Sequence, residues 1–153
     1  MNKETDNMLR ALAGGLAGAC FVTVVHETVR RIVPDAPRMD VLGMRAISKT
    51  MKKAGAEPPA NDELHTWALV GDIVSNSLYY SLAGTGPSAW WRGAILGASA
   101  GIGAVVLPGP LGLGEAPSNR TNQTKVMAFG LYMLGGLVAA TVGSLLASDS
   151  EED

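Results

Sequence analysis

The chain has 153 residues with 14 acidic and 12 basic side chains, and a net charge of −2 is too small to steer nucleic acid or another polyanion toward it. Its one cysteine, Cys20, excludes a disulfide framework and a CxxC metal or redox pair. What remains is a glycine-rich chain, 19 glycines among 47% apolar residues, with room for a single domain.

The first predicted element is a helix near residues 9–31, built on the run LAGGLAGACFVTVV. Mixed charges at Lys3, Glu4, Asp6 and Arg10 precede it, and HETVRR follows it in place of a small-residue cleavage site. It therefore reads as a retained span and not as a signal peptide. Gly14 and Gly18 put small residues on one face a turn apart, which lets helix backbones approach in lipid. Near its end His26, Glu27, Arg30 and Arg31 fall at helical pair spacings.

Residues 32–63 form the one substantial water-exposed loop, bracketed by Pro34, Pro37, Pro58 and Pro59. Between the prolines the spacing predicts a short amphipathic helix over 40–53 that Asp40 can cap. Val41, Met44, Ile47 and Met51 share one face, and Arg45, Lys49, Lys52 and Lys53 lie opposite. In the headgroup region of an anionic cytoplasmic leaflet each of those basic residues contacts lipid at about 1 kcal/mol. The same helix can simply cover the cytoplasmic end of the bundle, and the two roles are compatible.

A second span, near 64–84, carries a polar stripe. His65, Asp72, Asn76 and Tyr79 fall at i, i+7, i+11 and i+14, with Ser75 and Tyr80 beside them. A carboxylate near the centre of a span costs roughly 2.5–3.5 kcal/mol on insertion scales, so Asp72 is expected to face the bundle interior, hold a partner or carry a proton.

The third span, near 89–107, opens on Trp90 and Trp91 beside Arg92, an interfacial aromatic anchor. It repeats glycine at Gly93, Gly97 and Gly101 and stops before Pro108-Gly109-Pro110. Leu111 to Gly114 then form an irregular stretch, tolerated at membrane depth only inside protein or beside a water-filled cavity. The fourth span, near 125–147, comes from a charge-free run of 23 residues after Lys125, long enough to cross a hydrocarbon core of roughly 30 Å. Gly136, with Ala140 and Ser144, again supplies a small face, and an acidic tail occupies 148–153.

The expected fold class is all-α: one membrane domain, a bundle of four transmembrane helices with a short amphipathic cytoplasmic helix between the first two. A mean hydropathy of +0.19 is low for such a protein and keeps a glycine-rich soluble fold as the competing reading. Against it stand two successive charge-free runs of spanning length, Gly93 to Gly114 and the run after Lys125, which a soluble helix with a wet face lacks. Nine of the 12 basic residues lie in the first and third loops. Those loops are expected to be cytoplasmic and both termini non-cytoplasmic, in a bacterial cytoplasmic (inner) membrane.

Depth brings the polar residues of the first two spans together, since the helices run antiparallel. The candidate intramembrane site is His26, Glu27, Arg30, Asp72, Asn76, Tyr79 and Tyr80, a pocket for a proton, a cation or a small polar head group. In the plainer reading Glu27 pairs with Arg30 or Arg31, Asp72 is held by an arginine or a serine, and the tyrosines lock the bundle. The set lacks the spacing of HExxH, ExxH or CxxC sites, so no metal, cofactor or catalytic residue is assigned, and an enzyme ranks third. The first function class is a small homo-oligomeric channel, carrier or lipid-contacting protein with Asp72 at its polar site. The other is a non-catalytic subunit or assembly factor of a larger membrane complex. The expected partners are membrane lipids together with further copies of the chain or other membrane subunits, and no nucleic acid.

Overall fold

A computed structural model describes residues 3–148, and the acidic tail beyond Ser148 lies outside the described residues. The elements are α1 (Lys3–Ile32), α2 (Met39–Lys53), α3 (Asn61–Ser81), α4 (Ala89–Val106), the single-turn α5 (Ala116–Asn119) and α6 (Asn122–Ser148), with no strand among the described residues.

Local chemistry explains where the helix ends depart from the expected boundaries. α1 begins at Lys3, ahead of residue 9, and Glu4 and Asp6 in its first turn complement the positive end of its dipole. α3 stops at Ser81, because at Gly84 the chain turns left-handed with φ +68° and the Arg92 guanidinium occupies the space a Cβ would need. α6 begins at Asn122, where the Thr121 hydroxyl accepts the Thr124 N–H at 3.1 Å as a cap on the first turn. At α2 the cap position is held by Arg38; Asp40 lies in the first turn and is bonded to the Arg38 guanidinium instead.

α6 packs against both α1 and α4, and α3 packs against α1, so the long helices stand in the order α3–α1–α6–α4 with neighbours antiparallel. Backbones nearly touch at the crossings. A Cβ added at Gly14 or Gly18 would stand 2.5 Å from the carbonyl oxygens of Ala139 and Gly135, and one at Gly97 or Gly101 would stand 2.7 and 2.8 Å from the Cα atoms of Met133 and Phe129. At Gly93 and Gly136 it would run into the opposite glycine's carbonyl. All six glycines therefore meet another helix of the same chain.

The distribution of bulk is inverted relative to a soluble protein, whose large apolar residues lie inside. Here the buried core is mostly small, with Ala19, Ala83, Ala89, Ala128, Ala139 and Ala140 around Val22, Tyr80 and Tyr132. Leu9, Leu16, Val24, Val70, Val74, Leu78, Ile95, Ile102, Val126 and Leu145 are exposed along the outer faces. Small inside and large outside is how helices pack in lipid, where no hydrophobic force separates them from the solvent. α1 and α6 are long and apolar enough to cross a membrane, and only 33% and 39% of their most apolar stretches are buried, unlike the core helix of a soluble protein. α3, with Asp62, Glu63, His65 and Asp72, and α4, with 18 residues including Arg92, fall short of that measure.

Polar bonds fasten the two ends of the bundle. At one end the Arg38 N–H donates to Pro117 O at 2.8 Å, the Thr124 hydroxyl to Asp35 O at 2.8 Å and Arg120 to Pro34 O at 2.6 Å. At the other, Arg92 donates to Ala83 O at 2.7 Å and Thr85 O at 3.2 Å, and Ser144 to Gly86 O at 3.2 Å.

The crossings can be tested by size. Gly97→Leu is expected to cost at least the roughly 1–3 kcal/mol of an overpacked site. Gly130→Leu, where nothing stands within 4 Å of an added Cβ, should stay within about 0.5 kcal/mol of the unaltered protein or exceed it. Denaturation in detergent measures both, and equal stabilities would mean that α4 and α6 do not approach this closely.

Candidate functional site

α2 packs against α3 at Gly43, where a Cβ would stand 3.1 Å from the methyl of Ala68, and meets α1 through Asp40, 3.8 Å from Arg30. Leu42 beside Gly43 is buried. Between the three helices is a cavity of about 340 Å³, lined by Thr23, His26 and Glu27 of α1, Met39, Asp40, Leu42, Gly43, Ala46 and Ile47 of α2, and Ala68, Leu69, Gly71, Asp72 and Ser75 of α3. Tyr132 of α6 and Leu113 complete the lining. Its walls are apolar apart from this set of acids, hydroxyls and one imidazole.

The carboxylates of the cavity are held in different ways. Glu27 takes a bidentate pair from Arg30 at 2.8 and 2.6 Å, with Arg31 at 3.5 Å and His65 Nε2 at 3.7 Å. Asp40 takes a bidentate pair from Arg38 at 2.9 and 2.7 Å, with Arg30 at 3.8 Å. Arg30 thus joins two acids in one network. Asp72 has only neutral donors, the Thr23 hydroxyl at 2.8 Å and the Asn76 amide at 2.9 Å. No ion pair reaches it among the described residues.

His26 is 5% exposed, and among the described residues neither of its ring nitrogens has a hydrogen-bond partner. Its ring tilts against Tyr132 with centroids 5.4 Å apart. A buried imidazole normally uses both nitrogens, so this one is a group waiting for a partner. No cluster of three or more His, Cys, Asp or Glu residues in metal-binding proximity occurs among the described residues.

The seven residues of the expected polar site fall into three groups. His26, Glu27 and Asp72 line the cavity, Asp72 through Thr23 rather than by a direct bond to His26 or Glu27. Arg30 and Asn76 hold two of those acids from outside the lining. The tyrosines belong to the scaffold: Tyr79 donates to Leu96 O at 3.1 Å and the fully buried Tyr80 to Tyr132 O at 2.9 Å. Thr23, Asp40, Gly71 and Tyr132 are the additions. Only Thr23 had a sequence signal, its place one turn before His26 and Glu27 on the same face.

The basic face of α2 is divided as well. Arg45 donates to Leu113 O at 2.7 Å and Lys49 to Leu111 O at 2.6 Å, so these two cations fasten the segment after α4 and seat Leu113 at the cavity. Lys52 and Lys53 are exposed. Val41, Met44, Ile47 and Met51 are half-buried. Trp67 is exposed near the start of α3, and Trp90 and Trp91 lie at the opposite end of the bundle.

Burial works against the charge on Asp40, but the hydrogen bonds and charge of Arg38, the Val41 amide and the charge of Arg30 outweigh it and hold its carboxyl below the usual carboxylate range. Its contribution to stability is therefore present above the unfolded value of about 3.9 and lost as pH falls through the lower folded value. The protection of α2 against hydrogen exchange, relative to the intrinsic amide rate at each pH, is expected to fall below about pH 4. Asp40→Asn should begin less protected and change less steeply over that range; an identical profile would remove Asp40 from what docks α2. The chain matches no protein-family model, no curated protein and no solved structure, so its functional reading rests on its own residues.

Proposed function

We propose that the chain is a four-span membrane protein, α1, α3, α4 and α6 crossing the bilayer, and that it works as a small channel or carrier whose polar site is the cavity beside Asp72. One observation carries the reading: in the apolar band of an inside-out bundle, the charged residue is turned inward to a cavity. Between Arg10 and Glu27 α1 has no charge, nor has α6 after Lys125, nor α4 after Arg92. Asp72 interrupts the band on α3, and its side chain meets Thr23 of α1, away from the exposed Val70 and Val74. A carboxylate kept in that band at an insertion cost of roughly 2.5–3.5 kcal/mol is a functional residue by default.

The loops carrying most of the basic residues share the end at which α2 lies. This supports an orientation with that end cytoplasmic and both termini outside, in a bacterial cytoplasmic membrane. A role as a non-catalytic subunit of a larger complex, or as a homo-oligomer, is favoured by a separate observation. α3 buries only Leu64, Ala68 and Tyr80 of its 21 residues, leaving most of its surface free for lipid or another helix.

Reconstitution in proteoliposomes separates these readings. Asp72→Asn keeps shape and removes charge, and the channel or carrier reading expects at least a tenfold loss of proton or small-cation flux with an unchanged melting temperature. No flux from either protein, with other chains retained in mild detergent, would favour the subunit. A cysteine placed after Ser148 should react with an impermeant reagent from the non-cytoplasmic side, and labelling only from the cytoplasm would reverse the orientation.

A further inference from the structure

We infer that the cavity binds a protonated amine with a compact apolar body, its ammonium N–H groups shared between the Asp72 carboxylate and a ring nitrogen of His26. This rests on the proposed membrane site and names the ligand class it takes.

The charges of the lining select the sign of the ligand. Glu27 and Asp40 are matched by Arg30, Arg31 and Arg38, whereas Asp72 has two neutral donors and no counter-charge. The negative charge still to be matched faces the cavity, which excludes anions. An ammonium is matched by one carboxylate, and its remaining N–H groups need acceptors that are not already used. His26 provides one, since among the described residues both of its nitrogens are unpartnered although the residue is 5% exposed and lines the cavity.

The rest of the lining selects the body of the ligand. Leu42, Ile47, Ala68, Leu69 and Leu113 form walls with no side-chain oxygen, which suit a hydrocarbon body and offer a bare cation no side-chain ligand on that side. A volume of about 340 Å³ is within the range of small-molecule sites and far larger than one dehydrated ion needs. The lining has an open side at Gly71, an exposed residue with no atom within 4 Å of where a Cβ would stand. A ligand that partitions into the bilayer can pass there without crossing the Arg30–Glu27 network.

The test uses the full chain in nanodiscs and three probes with the same phenethyl body: phenethylammonium, 2-phenylethanol, and phenethyltrimethylammonium, which keeps the charge but has no N–H. Titration calorimetry gives the affinities, and imidazole NMR reports contact, since the chain has two histidines and His65→Gln assigns the signals. Phenethylammonium is expected to bind at least tenfold tighter than either other probe and to shift the His26 signals. Asp72→Asn should remove that preference. Gly71→Phe, at an open position, should weaken phenethylammonium at least fivefold with an unchanged melting temperature.

Equal binding of the amine and the alcohol overturns the proposal, as does an amine preference that survives Asp72→Asn or leaves His26 unshifted. If Asp72→Asn does not fold, the probe comparison on the unaltered protein and Gly71→Phe decide. Asp72-dependent proton flux without amine binding overturns the ligand class and leaves the transport reading standing. Amine binding without flux supports the ligand class and removes the transport reading.

Discussion

The arrangement depends on how closely a neighbour can approach α6. That helix has α1 on one side and α4 on the other, and it admits both because Gly135, Gly136, Ala139, Ala140 and Gly143 leave almost no side chain between the backbones. With so little side chain at the crossings, contact area and dispersion between close backbones supply the attraction, the mode of packing that helices use in lipid. With Leu or Ile at these crossings α1 and α4 would stand farther off. Tyr80 could then no longer reach Tyr132 O, nor Tyr79 reach Leu96 O, across the row. α3 itself is placed by α1, where a Cβ added at Gly15 would run into the backbone of Ser77 and Ser81, and that approach sets the depth at which Asp72 meets Thr23.

The cavity follows from the same economy of side chains. α2 reaches α3 only because Gly43 faces Ala68, and it rests there as a lid tied down by ionic bonds at its start. The paired arginines and acids lie toward the end of α1 where chain and water meet, while Asp72 and His26 lie deeper, with hydroxyl, amide and aromatic neighbours. A gradient from ion pairs to neutral donors along one helix pair separates groups that hold the fold from groups still free to hold something else.

Much of this organisation is legible in the sequence, because the long uncharged runs at α4 and α6 leave no charged face on either helix and mark both as apolar elements. The polar stripe of α3 is legible as a face but not as a set of contacts. Helical spacing aligns Asp72, Asn76 and Tyr79, yet the partner of Tyr79 is a backbone carbonyl 17 residues away, which no spacing encodes. Thr23 is legible only as a place on the face of His26 and Glu27; its bond to Asp72 is not, because no spacing within α1 tells which residue of α3 stands opposite. α3 is the least legible element, since Asp72 and Asn76 break its apolar run and only their contacts with Thr23 and with each other explain why they are there.

The bonds from Arg45 and Lys49 to Leu113 O and Leu111 O join side chains to main chain. A carbonyl is present whatever the residue, so the segment after α4 can change its side chains without loosening the tether, apart from Leu113 at the cavity and Gly112 and Gly114, whose φ of +66° and +85° favour glycine. The obligation falls on α2 alone. Among related chains, this contact would leave a one-sided record: two basic positions held fixed on α2, and a partner segment drifting beside them with no compensating changes to reveal that the two touch.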